Sequence, residues 1–241
     1  MSVPVSAVLF DLDGTLYHQA PLRAAMLAEL GTIGCVPRAA VPPSRLWRVL
    51  RTFRRVREEL RDAAPDTLNL DIEQYRRTAA LTAVPDDVVR SLVTEWIFRR
   101  PLKYLPMSRR RGVVRALATL REQGVRVGVF SDYPTHDKLA ALGLSDLVTL
   151  EVCATDRGVN AFKPHARGFL HACAIWNLEP SRVVYVGDRP EVDAVGAANA
   201  GMRCLIVGAR ARSSHPACER VTFENLMPVL ERTPSQPLVA S

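Results

Sequence analysis

Two aspartates, Asp11 and Asp13, follow directly on the apolar run at residues 5–10 and precede Gly14 and Thr15. Paired carboxylates beside a glycine-permitted turn are able to hold a hard cation such as magnesium or calcium. The plainer reading is a surface turn whose aspartates bond their own backbone. A calcium-binding EF-hand loop is excluded, because Thr15 and Leu22 occupy the fifth and twelfth positions, where such a loop needs an acid or amide and a glutamate.

Three further places carry reactive groups. Ser131-Asp132 offers a hydroxyl and backbone N–H groups suited to phosphate oxygens, although taken alone it reads as a turn. Lys163-Pro164 sets an ammonium before a helix, where it either faces water or neutralises a phosphoryl group in a transition state. Of the 32 basic residues only Lys103, Lys138 and Lys163 are lysine, so a lysine at 163 answers to a need for a compact point charge. The stretch Gly187-Asp188-Arg189-Pro190-Glu191-Val192-Asp193 places acids five residues apart across a turn into a helix, where either acid alone would serve as a cap.

These groups acquire meaning from the elements that carry them. Residues 5–10, 125–130, 183–186 and 204–207 are short apolar runs that read as buried parallel strands, and residues 147–152 form a further apolar segment. Helical periodicity separates them, at residues 113–120 with a stop at Gly124, at 167–176 and at 192–200. Strands alternating with helices imply a parallel sheet wound by right-handed crossovers. In such a sheet ligands sit beyond the carboxyl ends of the strands, and three of the four places above follow a strand directly.

Between the first strand and the rest the pattern changes. Leu46, Val49, Leu50, Phe53, Val56 and Leu60 recur at helical spacing, as do Val88, Val89, Leu92, Val93, Trp96 and Ile97 behind an expected N-cap at Asp86. With helices near 22–30 and 71–83, these predict an all-helical insertion at 17–104 in an α/β core made of 1–16 and 105–232, followed by a loose tail at 233–241. On the helix that carries Leu46 to Leu60, Arg48, Arg51 and Arg55 fall opposite the apolar stripe; they read as a solvated face or, more pointedly, as readers of a second anionic group. Tyr17 and His18, just beyond the first motif, either pack a hinge or touch substrate.

With 241 residues, 48% apolar and 24% charged, the chain has the composition of a globular protein with one substantial core. The five cysteines show no paired spacing, which favours reduced thiols and a cytoplasmic setting. No stretch reads as an export signal or a membrane span. A formal charge of +7 attracts anions without choosing between nucleic acid and small molecules, and no nucleic-acid motif is visible.

The four motifs, in this order and at these elements, resemble those of the haloacid dehalogenase superfamily over nearly the whole chain. The resemblance implies a Rossmann-like sheet with a helical cap after the first motif, as in the phosphoglycolate-phosphatase-like members. It implies that Asp11 attacks phosphorus to form an aspartyl phosphate, with Asp13 as proton donor and then acceptor. Magnesium would be held by the Asp11 carboxylate, the Asp13 carbonyl and Asp188, with Asp193 in support. Ser131, Lys163 and the main chain at Asp132 would grip the phosphoryl group, while Thr15 braces the loop. Dehalogenases with the same pattern lack an acid at the position of Asp13, so phosphoryl chemistry on a small phosphorylated metabolite is expected. A sugar phosphomutase and a non-catalytic anion or nucleic-acid binder are the alternatives. A phosphonate-cleaving lysine has no candidate but Lys103 near the hinge.

Overall fold

The computed structural model describes residues 4–32, 42–62, 68–208 and 218–232; the expected tail at 233–241 lies outside them. Six parallel strands, β1 (Ala7–Phe10), β2 (Arg126–Ser131), β3 (Leu150–Cys153), β4 (Val183–Gly187), β5 (Arg203–Val207) and β6 (Cys218–Val221), lie in the order β3-β2-β1-β4-β5-β6. β1 is central and pairs on both edges, Phe10 standing beside Val129 of β2 and Val186 of β4. All four of its residues are buried. This is why the run shows no polar alternation: both faces of a parallel sheet are covered.

The elements inserted after β1 are all helical up to Tyr104 among the described residues: α1 (Gln19–Thr32), α2 (Pro43–Glu59), α3 (Leu70–Thr82) and α4 (Asp86–Val93), the last continuing through a π-helical turn (Thr94–Arg99) and a 3-10 turn (Arg100–Tyr104). Helices α5 (Leu105–Ser108), α6 (Val113–Glu122), α7 (His136–Leu142), α8 (Arg167–Trp176), α9 (Val195–Asn199) and α10 (Leu226–Glu231) follow. Val8 and Phe10 pack with Leu117 of α6, Leu139 of α7 and Leu226 of α10 on one face of the sheet. Ala7 and Leu9 pack with Phe169 of α8 and Ala197 of α9 on the other. The inserted helices form an apolar cluster of their own, in which Val49 and Phe53 of α2 meet Tyr75 of α3 and Val89 and Val93 of α4. The chain leaves and re-enters the sheet layer side by side: the His18 N–H donates to the Ser108 carbonyl at 2.8 Å, and the Arg110 N–H to the Leu16 carbonyl at 3.0 Å.

Several expectations need correction. Asp86 is the first residue of α4 rather than its cap; Pro85 stands at the N-cap, and the Asp86 carboxylate instead accepts from Arg90 one turn on, at 2.8 Å. The apolar segment at 147–152 is strand only from Leu150, because a 3-10 turn at Ser145–Leu147 uses its first part. The helix expected at 192–200 is a π-helical turn, Pro190–Ala194, followed by α9. β6, α7 and α10 were not anticipated: β6 is a polar edge strand, and the two helices are short. No helix among the described residues is long and apolar enough to cross a membrane.

Helix α8 approaches β2 closely because Gly168 has no side chain, and a Cβ there would stand 2.1 Å from Cζ of Phe130. A Gly168→Ala substitution is therefore expected to cost about 1–3 kcal/mol through overpacking. The urea midpoint should fall with its slope unchanged.

Candidate active site

The strand order reverses between β1 and β4, where the chain first winds to one side of β1 and then to the other. A crevice opens at the carboxyl ends of the strands at such a point. Asp11 and Asp188 are the residues that leave those two strands.

Asp11 is buried, and one carboxylate oxygen accepts from Thr15 Oγ1 at 3.0 Å while the other accepts from Lys163 Nζ at 2.6 Å. Thr15 thus ties the ends of the turn together. Lys163 Nζ also donates to Asp193 Oδ1 at 2.7 Å and lies 3.0 Å from Tyr185 Oη. Asp193 is saturated, since its second oxygen accepts the backbone N–H groups of Asp188 at 3.0 Å and Arg189 at 2.9 Å. Burial pushes the Asp11 carboxyl well above its ordinary range against the pull of Lys163, and the two carboxylates in turn hold the buried Lys163 ammonium well above its own.

Asp188 differs from its neighbours. Its Oδ1 is buried without a hydrogen-bond partner, whereas Lys163 serves Asp11 and Asp193, Lys138 serves Asp13 and Arg61 serves Asp132. Burial, and then repulsion from Asp193, pushes its carboxyl up to about 6. Oxygens of Asp11, Asp188 and Asp193 lie within 4.8 Å of one another. An orphaned carboxylate oxygen beside a second carboxylate fits a divalent cation with oxygen ligands. Because Asp193 has no oxygen to spare, Asp11 and Asp188 are the side chains that would hold the ion. The Asp13 carbonyl, expected as a third ligand, accepts from the Gln19 side-chain amide, which leaves one lone pair for a metal. Gly14 makes this proximity possible: its φ is +106°, and a Cβ there would stand 2.2 Å from Asp188 Oδ2.

Asp13 is held differently from Asp11. Lys138 Nζ, from α7, donates to both of its oxygens at 2.6 and 2.8 Å, and the Tyr17 hydroxyl and Ser131 Oγ donate as well, the latter at 3.3 Å. Burial raises the Asp13 carboxyl, but the Lys138 ammonium overcomes it and the net shift is downward. Ser131 Oγ in turn accepts the Tyr133 N–H at 3.1 Å. Asp132 Oδ1 accepts the Lys163 N–H at 3.2 Å, joining two of the loops. Asp11, Asp13, Tyr17, Ser131, Asp132, Lys163, Asp188 and Asp193 line one cavity of about 930 Å3 and Thr15 braces it, whereas His18, Arg48, Arg51 and Lys103 do not border it.

The sequence reading missed three cations. Lys138 is one. The others come from α2 and the turn after it. Arg57, buried, donates to the Asp132 carbonyl and to Gln74, between the Tyr133 and Phe162 rings at 4.0 and 4.4 Å. Arg61 donates to Asp132 Oδ2 at 2.6 Å and to the Lys163 carbonyl at 2.7 Å. Of the three arginines singled out earlier, Arg48 donates to the Thr82 carbonyl and Arg51 is exposed away from the cavity, whereas Arg55 borders the cavity and pairs with Glu59.

Lys163 stands between two buried acids, so removing its charge leaves both uncompensated. Lys163→Met is expected to lower the unfolding free energy by about 3–5 kcal/mol. Adding Asp193→Asn should recover part of that loss, a coupling that a double-mutant cycle of denaturation midpoints measures.

Comparison with known proteins places the chain. The family model for haloacid dehalogenase-like hydrolases matches residues 5–201. A phosphoglycolate phosphatase of Cupriavidus necator is 30% identical over 220 residues, 86% of this chain and 82% of that protein. A glyceraldehyde 3-phosphate phosphatase of Methanopyrus kandleri is 28% identical over 202 residues, 82% of each. Among solved structures, a 2-haloacid dehalogenase of Pseudomonas syringae superposes with a TM-score of 0.66 at 24% identity, over 94% of this chain and 98% of that one, a likeness of fold alone. With an acid-bearing loop at the switch point and a family match that runs from β1 through the inserted helices to α9, the chain belongs to the haloacid dehalogenase-like hydrolases.

Proposed function

We propose that the protein is a magnesium-dependent phosphomonoesterase that works through a phosphorylated Asp11. The observation that carries this reading is the charge arrangement at the switch point: a buried carboxylate with an ammonium on one oxygen, and a second carboxylate beside it whose oxygen lacks a partner. A phosphate dianion is repelled by Asp11 alone. Lys163, Lys138 and a divalent ion on Asp11 and Asp188 would offset that repulsion and stabilise charge on the transferring group.

Asp11 attacks phosphorus, the bond to the ester oxygen breaks, and Asp13 supplies the proton that the departing alcohol needs. Water then attacks the aspartyl phosphate and gives its proton to Asp13, which restores Asp11 and releases inorganic phosphate. The Lys138 ammonium favours the carboxylate form of Asp13, the form required in this second half. Ser131 Oγ, which borders the same cavity as Lys163, and the main chain at Asp132 would complete the phosphate cradle. The divalent ion, when bound, supplies charge neutralisation and orientation. Residues 17–104 are read as the cap that shuts water out, on a core of 1–16 and 105–232. The relatives named as phosphatases for phosphoglycolate and glyceraldehyde 3-phosphate support ester hydrolysis as the reaction class.

Asp11→Asn is expected to abolish phosphate release from a phosphomonoester by at least about 10⁴-fold while near-UV circular dichroism is unchanged. Chelation should remove activity and magnesium restore it. Asp188→Asn should raise the half-saturating magnesium concentration by at least about tenfold in the same assay.

A further inference from the structure

The cavity that contains Asp11 is larger than a phosphate group requires. Its volume of about 930 Å3 is near the top of the range, about 300–1,000 Å3, of sites that enclose drug-sized ligands. Away from the acids much of its wall is hydrocarbon, from Leu22, Met26 and Leu27 of α1, Trp47 of α2, and Trp96 and Ile97 of the π-helical turn. Leu27 is 54% exposed and Trp47 46% exposed, while Val49 and Phe53 on the same helix as Trp47 are fully buried. The chain therefore holds large apolar side chains open to this space while burying their neighbours.

Most of the cations around the same space are already engaged by protein oxygens. Arg23 already donates to Gln19, Arg55 pairs with Glu59, Arg61 with Glu58 and Asp132, and Arg189 with Glu191. A carboxylate besides the phosphate would have to displace one of these acceptors or rely on the exposed Arg54. A substrate bearing an apolar group displaces only water.

Resting on the phosphatase reading above, we infer that the substrate is a phosphomonoester of an apolar alcohol, with its phosphate at Asp11 and its alkyl or arylalkyl group against Trp47, Trp96 and α1. Hydrolysis breaks the phosphorus–oxygen ester bond and yields the free alcohol and inorganic phosphate. This class differs from the short polar esters in the names of the relatives. In those molecules little hydrocarbon would meet the apolar wall, and the transition-state binding available from it would go unused.

The test is a series of esters with constant leaving-group chemistry: ethyl, butyl and hexyl phosphate, beside 2-phosphoglycolate and glyceraldehyde 3-phosphate, all with magnesium. kcat/KM is expected to rise about fourfold per buried methylene, mainly through KM. Trp47→Ala should compress the hexyl-to-ethyl ratio by about tenfold or more. Hexylphosphonate, which is not cleaved, should inhibit competitively and change tryptophan fluorescence at far lower concentration than methylphosphonate. A flat or falling series with the two polar esters turned over best would overturn the inference and leave the phosphatase reading standing. Hydrolysis of none of the esters would overturn the phosphatase reading. In that case the phosphonate titration still decides on the apolar site, equal weak binding of both phosphonates refuting it.

Discussion

The position of one ammonium group sets the rest of the site. Lys163 Nζ is buried away from water, a placement that costs several kcal/mol unless oxygens replace its hydration shell. Asp11, Asp193 and Tyr185 supply those oxygens at 2.6, 2.7 and 3.0 Å. Asp193 is fixed by two backbone N–H groups of the turn after β4, so the lysine, that turn and the end of β1 hold one another in place. Glycine is required where these parts crowd: a Cβ on Gly187 would stand 2.4 Å from Asp193 Oδ2. The same mutual fixing leaves Asp188 as the acid without a cation of its own.

Topology explains how such charges are assembled from distant sequence. β1 comes from before the inserted helices, β2 and β4 from after them, and the parallel register sets Phe10 level with Val129 and Val186. The residues at the ends of these strands therefore emerge at one edge, with Asp11 more than a hundred positions in sequence from both Ser131 and Asp188. Two apolar layers cover the sheet on either face and make that edge rigid. A carboxylate cluster tolerates strong mutual repulsion only on such a support.

Much of this was legible in the sequence, for physical reasons. Strands buried on both faces leave uninterrupted apolar runs, as at β1, β2 and β4. Amphipathic helices leave a 3.6-residue stripe, as in α2. What escaped had weaker patterns. β6 reads Cys-Glu-Arg-Val because an edge strand is half solvated. α7 is short and polar, so Lys138 was not placed on any element, although the reasoning that marked Lys163 applies to it: in an arginine-rich chain, two of three lysines converge on the site. Arg57 was also readable. It lies four residues after Phe53 and beside Val56, on the buried stripe rather than opposite it, and a cation at such a place must have acceptors waiting. Attention to the exposed arginines of α2 looked at the wrong side of the helix. The Gln19 contact to the Asp13 carbonyl had no sequence signal at all, because a loop amide has no periodicity to betray its partner.

The arginines on that stripe couple the inserted helices to the phosphate cradle. Arg57 reaches the Asp132 carbonyl and Arg61 its carboxylate, and the other oxygen of that carboxylate receives the N–H of Lys163. Arg61 also binds the Lys163 carbonyl. Swinging α2 away from the sheet would strip Asp132, nearly buried, of its charged donors and withdraw the Arg57 guanidinium from the rings of Tyr133 and Phe162. Both consequences are costly in a desolvated setting. The arrangement in which Lys163 is best held is thus the arrangement in which α2 covers the crevice. From the other end of the insertion, Tyr17 and Gln19 reach the side chain and carbonyl of Asp13. A motion that opened the inserted helices would therefore disturb Asp13 through one connection and Lys163 through the other. Water entry and loss of the reactive geometry would then be one event, governed by the same few charges.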